Sequence, residues 1–342
     1  MPTAGELLKA HGVATFAASA SGIVRATPSK MNPLGGFGRG FDTFDETCMN
    51  EAAECINQRF LDFLGRTRQP FFAYLHYMEP HHPYAPPTTF TPRFADPTAG
   101  PPWAREGNPD PIAQAVAAGR PPPGTPADLQ TLVDHYDDEI AYWDTQLGAL
   151  FAELDRRGLR GNTMIVLAAD HGEMFLEHGD IKHCRRLFDT VTHTPLVVWL
   201  AGAAGRHVET PVQNVDVLPT ILDVLGVETP GWTPHGHSLR ALLNGQPMER
   251  RLAYSAQDTL RSVNDARFKL IRDTQSGTAQ LFDLIADPGE HADVASSHPE
   301  ERERLDGALD AWLAEHDRAN ARSGGKAARD VQDALRALGY IE

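Results

Sequence analysis

The sequence predicts an α/β fold in which a mixed or parallel β-sheet is sandwiched between helices, followed by a smaller C-terminal antiparallel α+β subdomain. Up to about residue 245, amphipathic helical segments alternate with continuous apolar runs, the pattern of strands buried on both faces of a sheet. Beyond that point, strand-like stretches follow one another without helices between them, as antiparallel strands do. We therefore expect a core over residues 1–245, a subdomain over 246–318 and a tail over 319–342.

The first half of the core alternates helices and strands until it reaches a Pro-rich stretch. The apolar spacing predicts a helix at 3–12, a strand in "VATFAAS", a Gly-rich loop at 35–46, a helix at 50–66 and an aromatic strand at 70–78. Residues 80–127 are then crowded with Pro and Gly. Because proline disrupts helix interiors and central strands, this stretch is predicted to be a long loop, with an excursion from the core over 85–127.

The second half of the core opens with the clearest helix of the chain, at 127–158. Its apolar residues recur every three or four positions, Asp128 is the candidate N-cap, and Gly158 ends it. The later segments follow in order: strands at 163–170 and 194–202, a helix at 214–227, short strands within 251–286 and an amphipathic helix at 299–316.

The composition is that of an ordinary globular protein, with 41% hydrophobic and 23% charged residues. A net charge of −15, from 31 basic and 46 acidic residues, argues against nucleic acid as a partner, because such binding needs clustered Lys and Arg. No stretch approaches the roughly 20 apolar residues of a membrane-spanning helix, so no membrane span is expected. Cys48, Cys55 and Cys184 form no C-x-x-C pair, and neither a disulfide framework nor a zinc knuckle is predicted.

The stretch "VLAADHGEMFLEHGD" (166–180) turns from a buried strand into a cluster of acids, imidazoles and glycines. Asp170 and His171 follow the apolar run directly, and Gly172 allows the backbone to turn close to what they hold. Ligands of open α/β sheets bind beyond the carboxyl ends of the strands. An adjacent carboxylate and imidazole suit a divalent cation, and the carboxylate favours a hard ion. The alternative is that Asp170 caps a helix and His171 lies on the surface.

A second predicted strand also ends in imidazoles. In "YLHYMEPHHPY" (74–84), His81 and His82 come after the strand, whereas His76 lies within it and is expected to be a packed core histidine. Two strand ends that carry such residues favour one shared cleft. We therefore expect a cation held by Asp170 and His171 to face His81.

The segment "EHGDIKHCRR" (177–186) contributes a third, cationic set. Positive charge beside a metal site suits an anionic substrate with several oxygens, such as a sulfate or phosphate ester. The candidates are His178, Lys182, His183, Arg185 and Arg186. For Arg185 and Arg186, a solvated basic loop is the preferred interpretation.

These stretches resemble the sulfatases of the alkaline-phosphatase superfamily. The family pattern S-D-H-G-E followed by E-H-G is similar to "ADHGEMFLEHGDIKHCRRLFDTVTHTPLVV" in this chain, which has Ala169 in place of the serine. The segments "GRGFDTFDE", "PFFAYLHYMEPHHPY", "NVDVLPTILDVLGV" and "LFDLIADPGEHADVA" are also similar to sulfatase segments and occur in the family order. The resemblance covers essentially the whole chain and implies an alkaline-phosphatase-like fold.

The resemblance also implies a reaction, the hydrolysis of a sulfate ester of a small molecule or saccharide. Asp170 and His171 match two of the family's metal ligands, and the metal is usually Ca²⁺. His81 matches the histidine near the bridging oxygen of the ester. His183, with Lys182 one residue away, matches the Lys or His that contacts the sulfuryl oxygens. A divalent cation polarises the sulfuryl group, and donor side chains stabilise the charge that develops on its oxygens.

Two elements of the family have no counterpart in this sequence. Sulfatases open with a strand ending in paired aspartates, and a later C/S-x-P-x-R motif supplies the residue that becomes formylglycine. The stretch "ATPSK" (26–30) is similar to that motif only in part and follows a helix that the nucleophile should precede, so we interpret it as an unrelated loop. We expect an N-terminally truncated chain with an incomplete cation shell, no encoded formylglycine and no turnover on its own.

Two other functions stay open on the sequence. His171 stands where many sulfatases have Asn, which is compatible with a phosphonate or phosphate ester hydrolase of the same superfamily. The nucleophile would distinguish these enzymes, because a formylglycine motif indicates sulfate esters and a Thr or Ser indicates phosphoryl transfer. A non-catalytic remnant that binds anions or a partner is the third hypothesis, although Asp170, His171, His81 and His183 are all retained.

Overall fold

The fold was obtained as a computed structural model, which describes residues 2–68, 70–183, 185–249 and 251–322, with side chains up to residue 315. The chain forms two compact units. The first comprises Met1–Thr163 and Phe175–Lys182, and the second comprises Met164–Met174 and His183–Glu342. Cys184 and the tail beyond residue 322 lie outside the described residues.

The elements from the N-terminus to the longest helix alternate as the sequence predicts. They are α1 (Ala4–Ala10), β1 (Ala14–Ser19), β2 (Thr43–Asp45), α2 (Ala53–Arg66), β3 (Phe71–His76), α3 (Pro102–Arg105), α4 (Asp110–Ala117) and α5 (Pro126–Arg156). The strands β1, β2 and β3 form a parallel sheet in the order β2-β1-β3. Phe16 of the central strand is buried, and its ring stacks on Phe63 of α2 at 4.8 Å. The aromatic residues of β1 and α2 thus build the core of the first unit.

The elements that follow α5 complete the fold. They are β4 (Ile165–Ala168), β5 (Met174–Phe175), β6 (Ile181–Lys182), α6 (Asp189–Thr192), β7 (Leu196–Trp199), α7 (Val217–Leu225), α8 (Arg240–Leu243), β8 (Ala253–Gln257), β9 (Leu260–Asn264), β10 (Phe268–Asp273), β11 (Ala279–Asp283) and α9 (Pro299–Arg322). β4 pairs antiparallel with β7, which makes the strand content of the α/β part mixed rather than all-parallel. Among the described residues, no helix is long and apolar enough to cross a bilayer.

The four C-terminal strands form one antiparallel sheet in the order β11-β10-β9-β8, as the sequence predicts. The helix α9 covers this sheet. Leu305 and Leu309 of α9 are fully buried against Val263, Leu270 and Leu281 of the strands. Apolar residues on one face of α9 therefore hold the C-terminal layer together.

The N-terminus of α5 corrects one detail of the sequence analysis. Thr125, rather than Asp128, is the N-cap, because its side chain accepts a hydrogen bond from the Asp128 N–H. The Asp128 carboxylate reaches back to the Thr125 N–H at 2.7 Å, so the two residues form a capping box. Both are polar and only three positions apart, which is why the spacing alone selected the wrong one.

The Pro-rich stretch 80–127 is also more ordered than predicted, because it contains α3 and α4. Their prolines stand in the first turn, where a missing N–H costs no intrahelical hydrogen bond. Ile112 and Ala115 of α4 are buried, so apolar packing stabilises this short helix. The expectation that the stretch holds no helix is therefore wrong.

Two further expectations for the first unit are wrong. The Gly-rich stretch 35–46 was expected to be loop throughout, but its end forms β2 beside β1. Cys48 and Cys55 form a disulfide, with their Cα atoms 5.7 Å apart, although the sequence indicated no disulfide framework. The seven-residue separation matches no recognised pairing pattern, and only the turn that leads into α2 brings the two thiols together.

Candidate active site

The end of β4 presents the acid–imidazole pair that the sequence selected. The Asp170 side chain is 83% exposed, and its Oδ1 accepts a hydrogen bond from the His171 N–H at 3.0 Å. One residue earlier, the Ala169 carbonyl accepts a hydrogen bond from the side-chain amide of Asn214 at 2.8 Å. Asn214 therefore fixes the backbone that carries Asp170.

The His171 ring is oriented by the backbone. Its Nδ1 lies 2.8 Å from the Gly172 carbonyl oxygen, which can only accept, so Nδ1 carries the proton. The Nε2 lone pair then remains for a ligand, the arrangement found when a histidine binds a metal. Nε2 lies 3.7 Å from Asp170 Oδ2, a separation that suits two neighbouring ligands of one cation at roughly 2.4 Å from each.

These two residues fit a divalent cation as part of its shell, not as the whole of it. The described residues contain no group of three or more His, Cys, Asp or Glu side chains that could hold a metal together. A cation bound at this strand end would take its further oxygen ligands from elsewhere, since Ca²⁺ uses six to eight.

Gly172 has a steric role beside this pair. Its N–H donates to the Val191 carbonyl at 2.8 Å, and a Cβ built on it would lie 2.2 Å from the Thr190 carbonyl oxygen. No side chain fits there without a backbone shift. Close packing of Gly172 against α6 therefore sets the path of the chain just after His171.

We predict that Gly172→Ala destabilises the protein by about 1–3 kcal/mol, because the added methyl group collides with backbone atoms. Urea denaturation of the variant would measure the loss. Gly161→Ala is the matched control, because a Cβ at Gly161 meets nothing within 4 Å. Equal stability of Gly172→Ala and the control would contradict the close packing.

A buried acid–imidazole couple lies next to the exposed pair. The hairpin of β5 and β6 brings Glu173 and His183 to its two ends, and His183 Nδ1 lies 3.0 Å from Glu173 Oε1. Both side chains are less than 10% exposed. The carboxylate can only accept, so this hydrogen bond fixes a proton on Nδ1 of His183. The His183 ring also stacks on His171, with centroids 3.8 Å apart.

Glu173 is the residue that the sequence analysis passed over. It stands in the same "DHGE" stretch as Asp170, yet no role was given to it. The signal that could have found it is the hairpin, because Glu173 and His183 flank two short strands joined by a turn with Gly179 at positive φ.

A cavity of about 880 Å³ in the second unit adjoins these residues. Asp170, His171 and His183 lie on its wall, and Arg186, which is exposed, lines it as well. Strands β8 and β9 supply a polar part of the lining, which consists of Tyr254, Ser255, Gln257, Ser262 and Asn264. The volume is sufficient for a ligand of drug or disaccharide size.

The other predicted residues belong to the first unit. His76 lies within β3, as expected of a strand residue. The His81 and His82 rings stack with centroids 4.3 Å apart, and Lys182 Nζ lies 3.3 Å from His82 Nε2. The structure thus groups Asp170, His171 and His183 in one unit, and His81 and Lys182 in the other.

Comparisons with known proteins agree with this architecture. Residues 2–227 match the family model described as Sulfatase, and residues 176–316 match the model of the C-terminal part of N-sulphoglucosamine sulphohydrolase. Arylsulfatase K of Xenopus laevis is 28% identical over 202 residues, which cover 54% of this chain and 37% of that protein. The chain spans about a third of the length of the curated relatives it matches.

Two solved structures share the fold. One is a protein solved in complex with its substrate D-glucosamine-2-N,6-O-disulfate, with a TM-score of 0.69 at 19% identity over 93% of this chain and 82% of that one. The other is the phosphonate monoester hydrolase of Agrobacterium radiobacter, with a TM-score of 0.68 at 23% identity over 91% and 80% of the two chains. The fold is therefore that of the alkaline-phosphatase-like hydrolases. Within that class, the chain belongs to the sulfatase family.

Proposed function

We propose that this chain carries part of the active site of a metal-assisted sulfate ester hydrolase, with Asp170 and His171 as ligands of a divalent cation, expected to be Ca²⁺. The observation that carries the proposal is the geometry at the end of β4. His171 is held with its Nε2 lone pair available, 3.7 Å from a carboxylate oxygen of Asp170. A bound cation would polarise the sulfuryl group and stabilise negative charge on its oxygens.

The histidines have separate tasks in this proposal. When its ring is protonated, His183 can donate Nε2–H to a sulfuryl oxygen, and the buried carboxylate of Glu173 orients and stabilises that protonated ring. His81 holds its proton on Nδ1, because that nitrogen lies 2.7 Å from the His82 carbonyl oxygen. When the ring is protonated at both nitrogens, its Nε2–H can donate to the bridging oxygen of the ester.

The nucleophile is not among these residues. The sequence contains no C/S-x-P-x-R motif, and neither Cys48 nor Cys55 is available as a thiol while they are joined by the disulfide. We propose that turnover of an ester requires a nucleophile and cation ligands beyond those found among the described residues.

The proposed substrate is a sulfate ester of a small molecule or saccharide. One structural neighbour was solved with a sulfated glucosamine as its substrate. The hydroxyl and amide groups that line the cavity in the second unit can hydrogen-bond to sugar hydroxyls. Phosphonate ester hydrolysis is the second candidate, supported by His171 and by the fold shared with a phosphonate monoester hydrolase.

Asp170→Asn should weaken cation binding by at least about tenfold, because the amide keeps the shape of the side chain but removes its charge. The binding of Mn²⁺ and of Ca²⁺ to the full chain can be measured by calorimetry. Glu209→Gln is the matched control, since Glu209 is an exposed carboxylate of the same cavity lining to which no role in cation binding is assigned. If both variants bind the cation as the unsubstituted chain does, Asp170 is not a ligand and the proposal fails.

A further inference from the structure

Lys182 has a strained backbone in the first unit. It is the last residue of β6, and its φ of 68° lies in the left-handed region. Residues other than glycine rarely adopt this region, because their Cβ crowds the backbone there. Such a conformation persists where surrounding contacts over-determine it. The Lys182 side chain is largely buried, and its contacts should therefore explain why this backbone conformation is retained.

The ammonium of Lys182 contacts one acid and one imidazole. Nζ donates a short hydrogen bond to Asp110 Oδ1 and lies 3.3 Å from His82 Nε2. The hydrogen bond from Lys182 lowers the pKa of the Asp110 carboxyl, so the ion pair persists through neutral pH. Because Asp110 balances its charge, Lys182 is poorly suited to attract an ester anion by itself.

The partner of Lys182 is rigidly mounted. Asp110 is the first residue of α4, and Ile112 of the same helix is buried in a cluster with Tyr84, Leu132 and Ile181. Ile181 is the neighbour of Lys182 in β6, and Tyr84 follows the histidine pair by two residues. The elements that carry the acid, the lysine and the histidine turn therefore pack on one apolar cluster.

The donors and acceptors in this group assign the protons. An ammonium can only donate, so His82 Nε2 accepts and the neutral ring carries its proton on Nδ1. The His82 ring stacks on His81 with an interplanar angle of 26°, and the His82 carbonyl oxygen accepts a hydrogen bond from the His81 Nδ1–H. The state and orientation of His82 thus bear directly on the orientation of His81.

We propose that Lys182 is a positioning residue: paired with Asp110, it holds His82 in the neutral form protonated at Nδ1, and His82 in turn fixes the His81 ring. This inference rests on the proposed function, in which His81 serves the ester oxygen. It differs from the expectation that Lys182 itself contacts the sulfuryl group. The role is tested by the protonation pattern of the rings, which mere loss of stability would not change.

The test is nitrogen-detected NMR of the full chain with ¹⁵N-labelled histidine, which distinguishes protonated from unprotonated ring nitrogens. The unsubstituted chain should show His82 protonated at Nδ1 and bare at Nε2. In Lys182→Met, the Nδ1-protonated tautomer of His82 should no longer be the main form, and the ring resonances of His81 should shift. Lys9→Met is the matched control, because it breaks an exposed Lys–Asp pair of 2.6 Å in the same unit. It should leave both rings unchanged.

Asp110→Asn provides a second variant if Lys182→Met does not fold, and it should also mix the tautomers of His82. The inference is overturned if His82 of the unsubstituted chain is protonated at Nε2, or if the folded variants retain its tautomer. The experiment needs neither cation nor ester. Failure of cation binding at Asp170 would therefore leave this result unaffected, and the two proposals can fail separately.

Discussion

Replacing Lys269 by methionine should destabilise the protein by about 3–5 kcal/mol, because it leaves the buried Glu290 carboxylate and the partly buried Asp189 carboxylate without their counter-charge. Lys269 lies in β10 and is 1% exposed. Its Nζ lies 2.6 Å from Asp189 Oδ1 and 2.9 Å from Glu290 Oε1, and it also donates to the Thr192 hydroxyl. Burial already raises the pKa of Glu290, which shows how poorly solvated this carboxyl is.

Urea denaturation at neutral pH would measure the loss. Arg240→Met is the matched control in the same unit, because it breaks an exposed pair with Asp223 and should cost at most about 1 kcal/mol. The penalty in Lys269→Met should shrink toward acid pH, where protonation removes the uncompensated charge. A loss no larger than that of the control would mean that the buried ion pairs do not stabilise the fold.

Glu139→Gln should stabilise the protein at pH 8 and above by several kcal/mol. Glu139 lies on α5 and is 4% exposed, and burial, aided by the negative charge of Glu79, raises its pKa from 4.5 to about 8. The folded chain therefore binds this proton more tightly than the unfolded chain. Stability should fall as the pH rises from about 4.5 to about 8 and then level off. Each pKa unit is worth about 1.4 kcal/mol, which sets an upper limit of roughly 4–5 kcal/mol.

Thermal denaturation of both chains between pH 5 and pH 9 would test this expectation. In Glu139→Gln the fall in stability over that range should largely disappear, with a remainder from Glu79, whose pKa burial also raises. Glu153→Gln is the control on the same helix. Hydrogen bonds from Arg156 and Arg157 lower the pKa of Glu153 to about 2, so this variant should bring no gain at pH 8. Parallel stability curves for Glu139→Gln and the unsubstituted chain would contradict the raised pKa.

The sequence predicts the position of a residue correctly where that position depends on a single helix or strand. The apolar run before Asp170 predicts a strand, and a strand end predicts where Asp170 and His171 stand. The antiparallel C-terminal sheet followed in the same way from strand-like stretches without helices between them. The family resemblance, carried by the order of several segments, extended these local predictions to the fold class.

The same reasoning cannot predict contacts between residues that a turn brings together. Glu173 meets His183 only because a hairpin folds back, and Cys48 meets Cys55 only because the chain turns before α2. Neither spacing is periodic. The pairing of Lys182 with Asp110 joins residues 72 positions apart, so only the folded chain brings them together.

The Pro-rich stretch shows a different limit of prediction from sequence. Proline destabilises helix interiors, but it does not disfavour the first turn of a helix, so a high proline content between residues 80 and 127 does not exclude short helices. In α4, Pro111 lies in the first turn of the helix. The next residue, Ile112, is buried against Tyr84. Position within the helix decides the effect of the residue, and helix boundaries are the least predictable part of a sequence.

The central claim is that Asp170 and His171 hold a divalent cation, and the direct measurement is the location of Mn²⁺ by anomalous X-ray scattering from crystals of the full chain. We expect an anomalous peak at about 2.0–2.5 Å from both the Asp170 carboxylate and the Nε2 of His171. Asp170→Asn crystals grown with the same Mn²⁺ concentration should lose that peak. A peak at another site, with none between these two side chains, would contradict the account.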